Sequence, residues 1–345
     1  MPNTGPVKIA VAGLGRAGWD IHVRALRGRQ DFAIVDVIDV DDNRLAEAKK
    51  EFNCATHTDW KEFLKNHVAE MVVVATQSKD HAPMSIEALK AGLHVLVEKP
   101  MATSVAEAKK AIAAAKKANC ILTVHQNQRL GADTLYIQKV IKSGILGKLF
   151  MIKRAVTGFS RRQDWQCLRK YGGGVLNNTG VHSVDQLMTL VDSPVVSVWG
   201  DMQQINNPGD VEDYTKIVFR CESGLVVDYD VGTVCAAPLC PWVLLGENGT
   251  MWIQNGQATI KYFDRSQLPK LEVVDSHQVA TRGYFKDNIP WQEKTEPAEA
   301  KSERNFYDYI FDAVRNGKPP FVSAESCRDV LDVMERAKKG TKFAM

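Results

Sequence analysis

Asn178, His182 and Asp185 stand at i, i+4 and i+7 in a run that reads as a helix opening near Gly174, so the three side chains fall on one face and can meet one ligand. Three glycines, Gly172 to Gly174, come directly before them. Lacking Cβ atoms, they let the loop and the helix N-terminus approach whatever is bound. An imidazole with an unperturbed pKa of about 6.5 exchanges protons near neutral pH, which makes His182 a candidate general base. Asn178 does not titrate; it orients a hydroxyl or the imidazole by hydrogen bonding.

A second constellation lies near the start. GLGRAG, Gly13 to Gly18, is G-x-G-x-x-G between a short apolar run and a helical one, and Asp39 closes the next apolar run. In that setting Gly13 makes the tight turn, Gly15 admits a pyrophosphate, and Gly18 lets the helix pack closely. Arg16 and Ala17 lie at the helix N-terminus, whose N–H groups and dipole favour an anion. Asp39 would accept hydrogen bonds from the adenosine ribose and repel a 2′-phosphate, with Asp41 and Asp42 behind it. The pattern predicts a dinucleotide, with NAD favoured over NADP.

These residues need a scaffold. From Val7 to about residue 126, short β-branched runs (VKIAVAG, FAIVDVID, MVVVAT, HVLVEKP, CILTVHQ) alternate with helical stretches. Such nearly continuous apolar strands are buried on both faces, so residues 1–126 are expected to form a doubly wound parallel α/β sheet. Beyond 126 the strands lengthen and partly alternate, as in KLFMIKRAV, DYTKIVFR and GLVVDYDVGTV. Residues 127–345 are expected to form an α+β domain with an open-faced, mostly antiparallel sheet. Two terminal helices follow, ERNFYDYIFDAVRNG and ESCRDVLDVMERAKKG, the last of which can pack back on the first domain.

Composition narrows the partners. The 345 residues are 45% hydrophobic and 25% charged, with 44 basic against 41 acidic residues in mixed order, so neither disorder nor a nucleic-acid footprint is visible. Seven scattered cysteines without a CxxC pair argue against a disulfide framework and a structural zinc site; no metal is expected. No leader-like N-terminus and no membrane-length apolar run occur, so a cytoplasmic location is expected and a membrane partner is not.

Glu98-Lys99-Pro100 at the end of the fifth strand, followed by GGGVLNNTGVHSVD, resembles the Gfo/Idh/MocA oxidoreductases, and the likeness runs the whole chain through GENGTM and AESCRDVLDVMERA. The resemblance implies an NAD-dependent dehydrogenase or reductase acting on a secondary hydroxyl or ketone of a sugar, polyol or related carbohydrate, built as a homodimer or homotetramer. It also implies that Lys99 and Pro100 border nicotinamide and substrate, commonly through a cis peptide. Thr76, His81, Glu98 and Asn127 complete the expected cofactor contacts. Lys99 would stabilise negative charge on the reacting oxygen while His182 takes its proton. Asn178 departs from the family's usual aspartate. Arg161, Arg162 and Trp165, in the loop before the glycines, are candidates to grip an anionic group and stack on a sugar ring, and Asp185 is a candidate pocket residue. Two other readings stay open. One is an enzyme that retains NAD and oxidises transiently to permit elimination or hydrolysis at a glycosidic bond; the other is a non-catalytic NAD-binding regulator.

Overall fold

The computed structural model describes residues 5–273 and 287–344. The first sheet is wholly parallel. It has six strands in the order β3-β2-β1-β4-β5-β6, comprising β1 (Val7–Ala12), β2 (Phe32–Ile38), β3 (Ala55–His57), β4 (Met71–Val74), β5 (His94–Val97) and β6 (Leu122–Val124). Met71 to Val74 are fully buried, as expected of a strand covered by helices on both sides. The order reverses between β1 and β4, which opens a crevice at the carboxyl ends of these strands.

The second sheet has eight strands: β7 (Leu149–Thr157), β8 (Val195–Gln203), β9 (Tyr214–Cys221), β10 (Val226–Gly232), β11 (Trp242–Gly246), β12 (Gly249–Gln254), β13 (Gln257–Tyr262) and β14 (Gln292–Pro297). Every neighbouring pair is antiparallel except β7 with β10. Helix Ala324–Lys338 covers β8 so closely that a Cβ on Gly200 would strike the Ala337 carbonyl. Helix Phe306–Asn316 turns back to the first sheet, where Arg315 binds the Gly5 and Pro6 carbonyls and Glu70. The sheet's other face mixes partly exposed Met151, Val218, Val243, Leu245 and Trp252 and exposed Trp199 with the ion pairs Lys153–Asp228–Lys216. It is therefore less apolar than its strand sequences suggest. No helix among the described residues is long and apolar enough to cross a membrane.

Candidate functional site

The glycine turn after β1 is built as its sequence demands. Gly13 has φ +89°, and a Cβ on Gly18 would overlap the Gly13 carbonyl, so neither position tolerates a side chain. Beside Gly15 a Cβ would meet nothing within 4 Å. That open flank of a helix N-terminus fits a pyrophosphate. Asp39 is 8% exposed and locks the turn, accepting from Leu14 N at 2.6 Å and Asp41 N at 3.0 Å. Arg44 Nη1 lies 3.5 Å from the same carboxylate.

Gly172 to Gly174 are tightly constrained, but by protein. Gly172 (φ +74°) abuts Ser78 and Thr103 across the domain junction, a Cβ on Gly173 would strike the Gln166 carbonyl, and one on Gly174 (φ +110°) would strike the Glu212 carboxylate. The room they make serves the chain itself, in addition to any ligand. The helix opens at Val175, next to Gly174 as its sequence suggests, and runs as a π-helical stretch Leu176–Gly180 into the α-helix Val181–Met188. Glu212 caps this start by accepting from Leu176 N at 3.0 Å.

At the centre, Arg16, Ala17, Thr76, His81, Glu98, Lys99, Trp165 and Asn178 line one cleft of about 70 Å³ between the glycine turn and the Gly172–Gly173 loop. The Lys99–Pro100 peptide is cis. Lys99 Nζ donates to the Asn178 carbonyl at 2.9 Å, while the Asn178 side-chain amide has no hydrogen-bond partner among the described residues and borders both this cleft and the next cavity. His182 Nδ1 donates to Gln126 Oε1 at 2.9 Å, which leaves Nε2 with its lone pair. Burial, and then the Lys99 ammonium, push the His182 pKa down to about 3. The imidazole is thus held neutral, and more weakly basic than its type alone suggests. Burial also lowers Lys99, with Arg16 and Arg162 adding to the fall and Glu98 opposing it.

Glu98 sits beneath this cleft in a polar cluster that sequence reading did not find. Its Oε1 accepts from His125 Nδ1 at 2.8 Å and His22 Nε2 at 3.0 Å, its Oε2 accepts from Lys99 N at 3.1 Å, and Tyr307 OH donates to His22 Nδ1 at 2.8 Å. Burial alone would raise the Glu98 pKa, but the hydrogen bonds from the two histidines outweigh it and hold the carboxyl well below the ordinary value. The ligand atoms of His22, Glu98 and His125 lie within 4.8 Å of one another, the grouping among the described residues that could enclose a cation. Their 2.8 and 3.0 Å contacts are hydrogen-bond lengths. His22 falls in the second turn of the helix that opens in GLGRAG and His125 directly after β6, and no local spacing in the sequence joins them.

Four expectations change. Asp185 is fully buried and held by Arg129 at 2.6 and 2.8 Å, so its carboxylate neutralises that guanidinium instead of lining the pocket. Asn127 lies on a groove of about 680 Å³ with His125, Lys301 and Tyr307, outside the cleft that holds Lys99. Trp165 enters the cleft beside Arg16 and Lys99, while Arg161 and Arg162 line a separate cavity of about 250 Å³ with Asn178, Thr179 and Asn207. His81 borders the cleft, yet both ring nitrogens face backbone carbonyls, those of Pro100 at 2.7 Å and Thr76 at 3.2 Å. It ties the end of β4 to the Lys99–Pro100 turn.

Residues 7–126 match the oxidoreductase family with an NAD-binding Rossmann fold, and residues 134–252 match the Gfo/Idh/MocA C-terminal domain. An uncharacterized oxidoreductase of Schizosaccharomyces pombe is 31% identical over 223 residues, which span 62% of this chain and 60% of that one. The scyllo-inositol 2-dehydrogenase (NADP(+)) of Bacillus subtilis is 25% identical over 97% of this chain and 94% of its own. The crystal structure of an NAD-binding protein from Listeria innocua superposes with a TM-score of 0.82 at 25% identity, covering 96% of each chain. With both domains matched and the glycine turn shaped for the dinucleotide, the chain belongs to the Gfo/Idh/MocA family of oxidoreductases and binds NAD through its Rossmann domain.

Proposed function

We propose that this protein is an NAD-dependent dehydrogenase or reductase acting on a secondary hydroxyl or ketone of a sugar, polyol or related carbohydrate. The observation that carries the reading is the Lys99 ammonium and the uncommitted Asn178 amide at one cleft, with a neutral His182 four residues on from Asn178 and near enough for the Lys99 charge to depress its pKa. NAD bound at the glycine turn supplies a hydride acceptor at nicotinamide C4. The substrate hydroxyl gives its proton to His182 Nε2, Gln126 keeps the other ring nitrogen protonated, and Lys99 donates to the oxygen as negative charge develops on it. Asn178 orients a neighbouring hydroxyl. Arg161 and Arg162 favour an acidic group on the substrate. A cytoplasmic setting is in keeping with seven free thiols.

Asn178 also favours a second reading, transient oxidation by retained NAD during glycoside cleavage, because an amide cannot extend a proton relay. A panel of sugars, uronates and inositols followed by NADH absorbance, together with a spectrum of the purified protein, separates the two. Net NADH formation that falls about 100-fold in His182→Ala supports the first. Tightly held cofactor with no net reduction on any alcohol, but cleavage of a glycoside, replaces it with the second.

A further inference from the structure

A cavity of about 120 Å³ lies behind the glycine loop. It shares Gly172, Gly173 and Asn177 with the central cleft but contains neither Lys99 nor Asn178. The chemistry above makes no use of it. Four cationic side chains line it, Lys79, Arg169, Lys170 and Lys338, against the single carboxylate of Glu212.

Two of the four cations are already engaged. Lys79 pairs with Asp80, and Arg169 donates to the Asp210 and Lys342 carbonyls. Lys170 has only the neighbouring Tyr171 ring, 4.9 Å away, as a partner among the described residues. Lys338 is the more telling. It is 7% exposed, at the end of the helix Ala324–Lys338, and its ammonium spends one hydrogen bond, 2.9 Å to Asn177 Oδ1. An ammonium carries three donors, so two remain without a partner among the described residues, and a buried charge left in that state is costly. Glu212 is 4% exposed, gives one oxygen to Leu176 N, and closes no ion pair with Lys338 across the cavity. Burial lowers Lys338 and raises Glu212, and each opposes the other's shift through its charge, with Glu335 adding to that opposition at Lys338.

We propose that this cavity is a phosphate site, filled by a phosphate monoester or by inorganic phosphate. Tetrahedral oxyanion acceptors answer the spare donors of Lys338 and Lys170 with charge-assisted hydrogen bonds. Inorganic phosphate, and a monoester below its second ionisation near pKa 6, keep a P–OH that donates to the Glu212 carboxylate. A carboxylate ligand offers no such second donor. The phosphate arrives either on a carbohydrate reaching round Gly172 and Gly173 from the cleft, or as a free ligand wedged at the domain junction.

The test is calorimetric titration of the NAD-loaded protein with inorganic phosphate, NAD occupying the glycine turn so that it cannot compete. One saturable site is expected, weakened about tenfold or more in Lys338→Met and again in Lys170→Glu, whose exposed position protects the fold if the first variant does not survive. Two further arms identify the source. A Michaelis constant about tenfold lower for a sugar phosphate than for its parent sugar, with the difference erased by Lys170→Glu, assigns the phosphate to the substrate. Phosphate that binds without competing with the sugar assigns it to a free ligand. No saturable binding, or binding indifferent to both lysine variants, overturns the proposal. Intact phosphate binding in a protein that reduces no NAD on any carbohydrate would refute the function proposed above and leave this site standing.

Discussion

Replacing Asn178 by aspartate tests the electrostatics of the site directly. The parent His182 is held neutral by burial and by Lys99, with its pKa at about 3. Residues at i and i+4 of a helix have Cβ atoms about 6 Å apart. A new unit charge at that distance, with an effective dielectric of about 20, interacts by about 3 kcal/mol, or roughly two pKa units. His182 in Asn178→Asp should therefore titrate near 5, and Lys99, which lies against the same residue, should also rise. A histidine whose folded pKa is depressed favours the folded state above about pH 6.5, and that contribution is lost as pH falls toward the folded value. The aspartate variant should show a narrower window of acid destabilisation than the parent. Histidine ring protons followed by NMR between pH 3 and 9 read the shift without a substrate, with the His182 signal assigned by its absence in His182→Gln. A parent His182 that titrates near its ordinary 6.5, or an aspartate variant displaced by less than about half a unit, would refute the reasoning.

Three further outcomes are expected. Calorimetry should find NAD bound more tightly than NADP, and Asp39→Gly should reverse the order by freeing Arg44, now 3.5 Å from that carboxylate, to meet a 2′-phosphate; tighter NADP binding by the parent would count against this. His22→Ala removes a donor from the buried Glu98 carboxylate and leaves Tyr307 OH without its acceptor, so the unfolding free energy from denaturant titration should drop by about 3 kcal/mol or more, and a loss under about 1 kcal/mol would mean the cluster is not what holds Glu98. The mixed open face of the second sheet should pair with a copy of itself, so light scattering should give a dimer or tetramer for the parent and a smaller species for Trp252→Glu; a parent monomer at micromolar concentration ends that expectation.

The sequence alone determined the two-sheet architecture wherever residue pattern and local geometry coincide. β1, β2, β4 and β5 are apolar runs bounded by helical stretches, and the burial of β4 and β5 on both faces writes itself into composition, while Lys8 in β1 and Ala33 to Val35 in β2 keep some exposure. The glycine turn was legible for the same reason, since a positive φ at Gly13 and contact at Gly18 are demands only glycine meets. β3 and β14 were not legible: one has three residues, and the other, QEKTEP, carries no apolar alternation and is a strand because β13 offers it partners. Within the site, spacing correctly set Asn178 and His182 on one helix but could not set their surroundings. Asp185 shares that helix, yet Arg129, 56 residues earlier, claims its carboxylate. The low basicity of His182, the ionised Glu98 between His22 and His125, and Lys338 with one of its three donors engaged all depend on desolvation and on partners from distant segments. Helical spacing is a local property that the chain carries in any context, whereas the charge state of a buried group is fixed only once folding removes its water and brings its neighbours within reach.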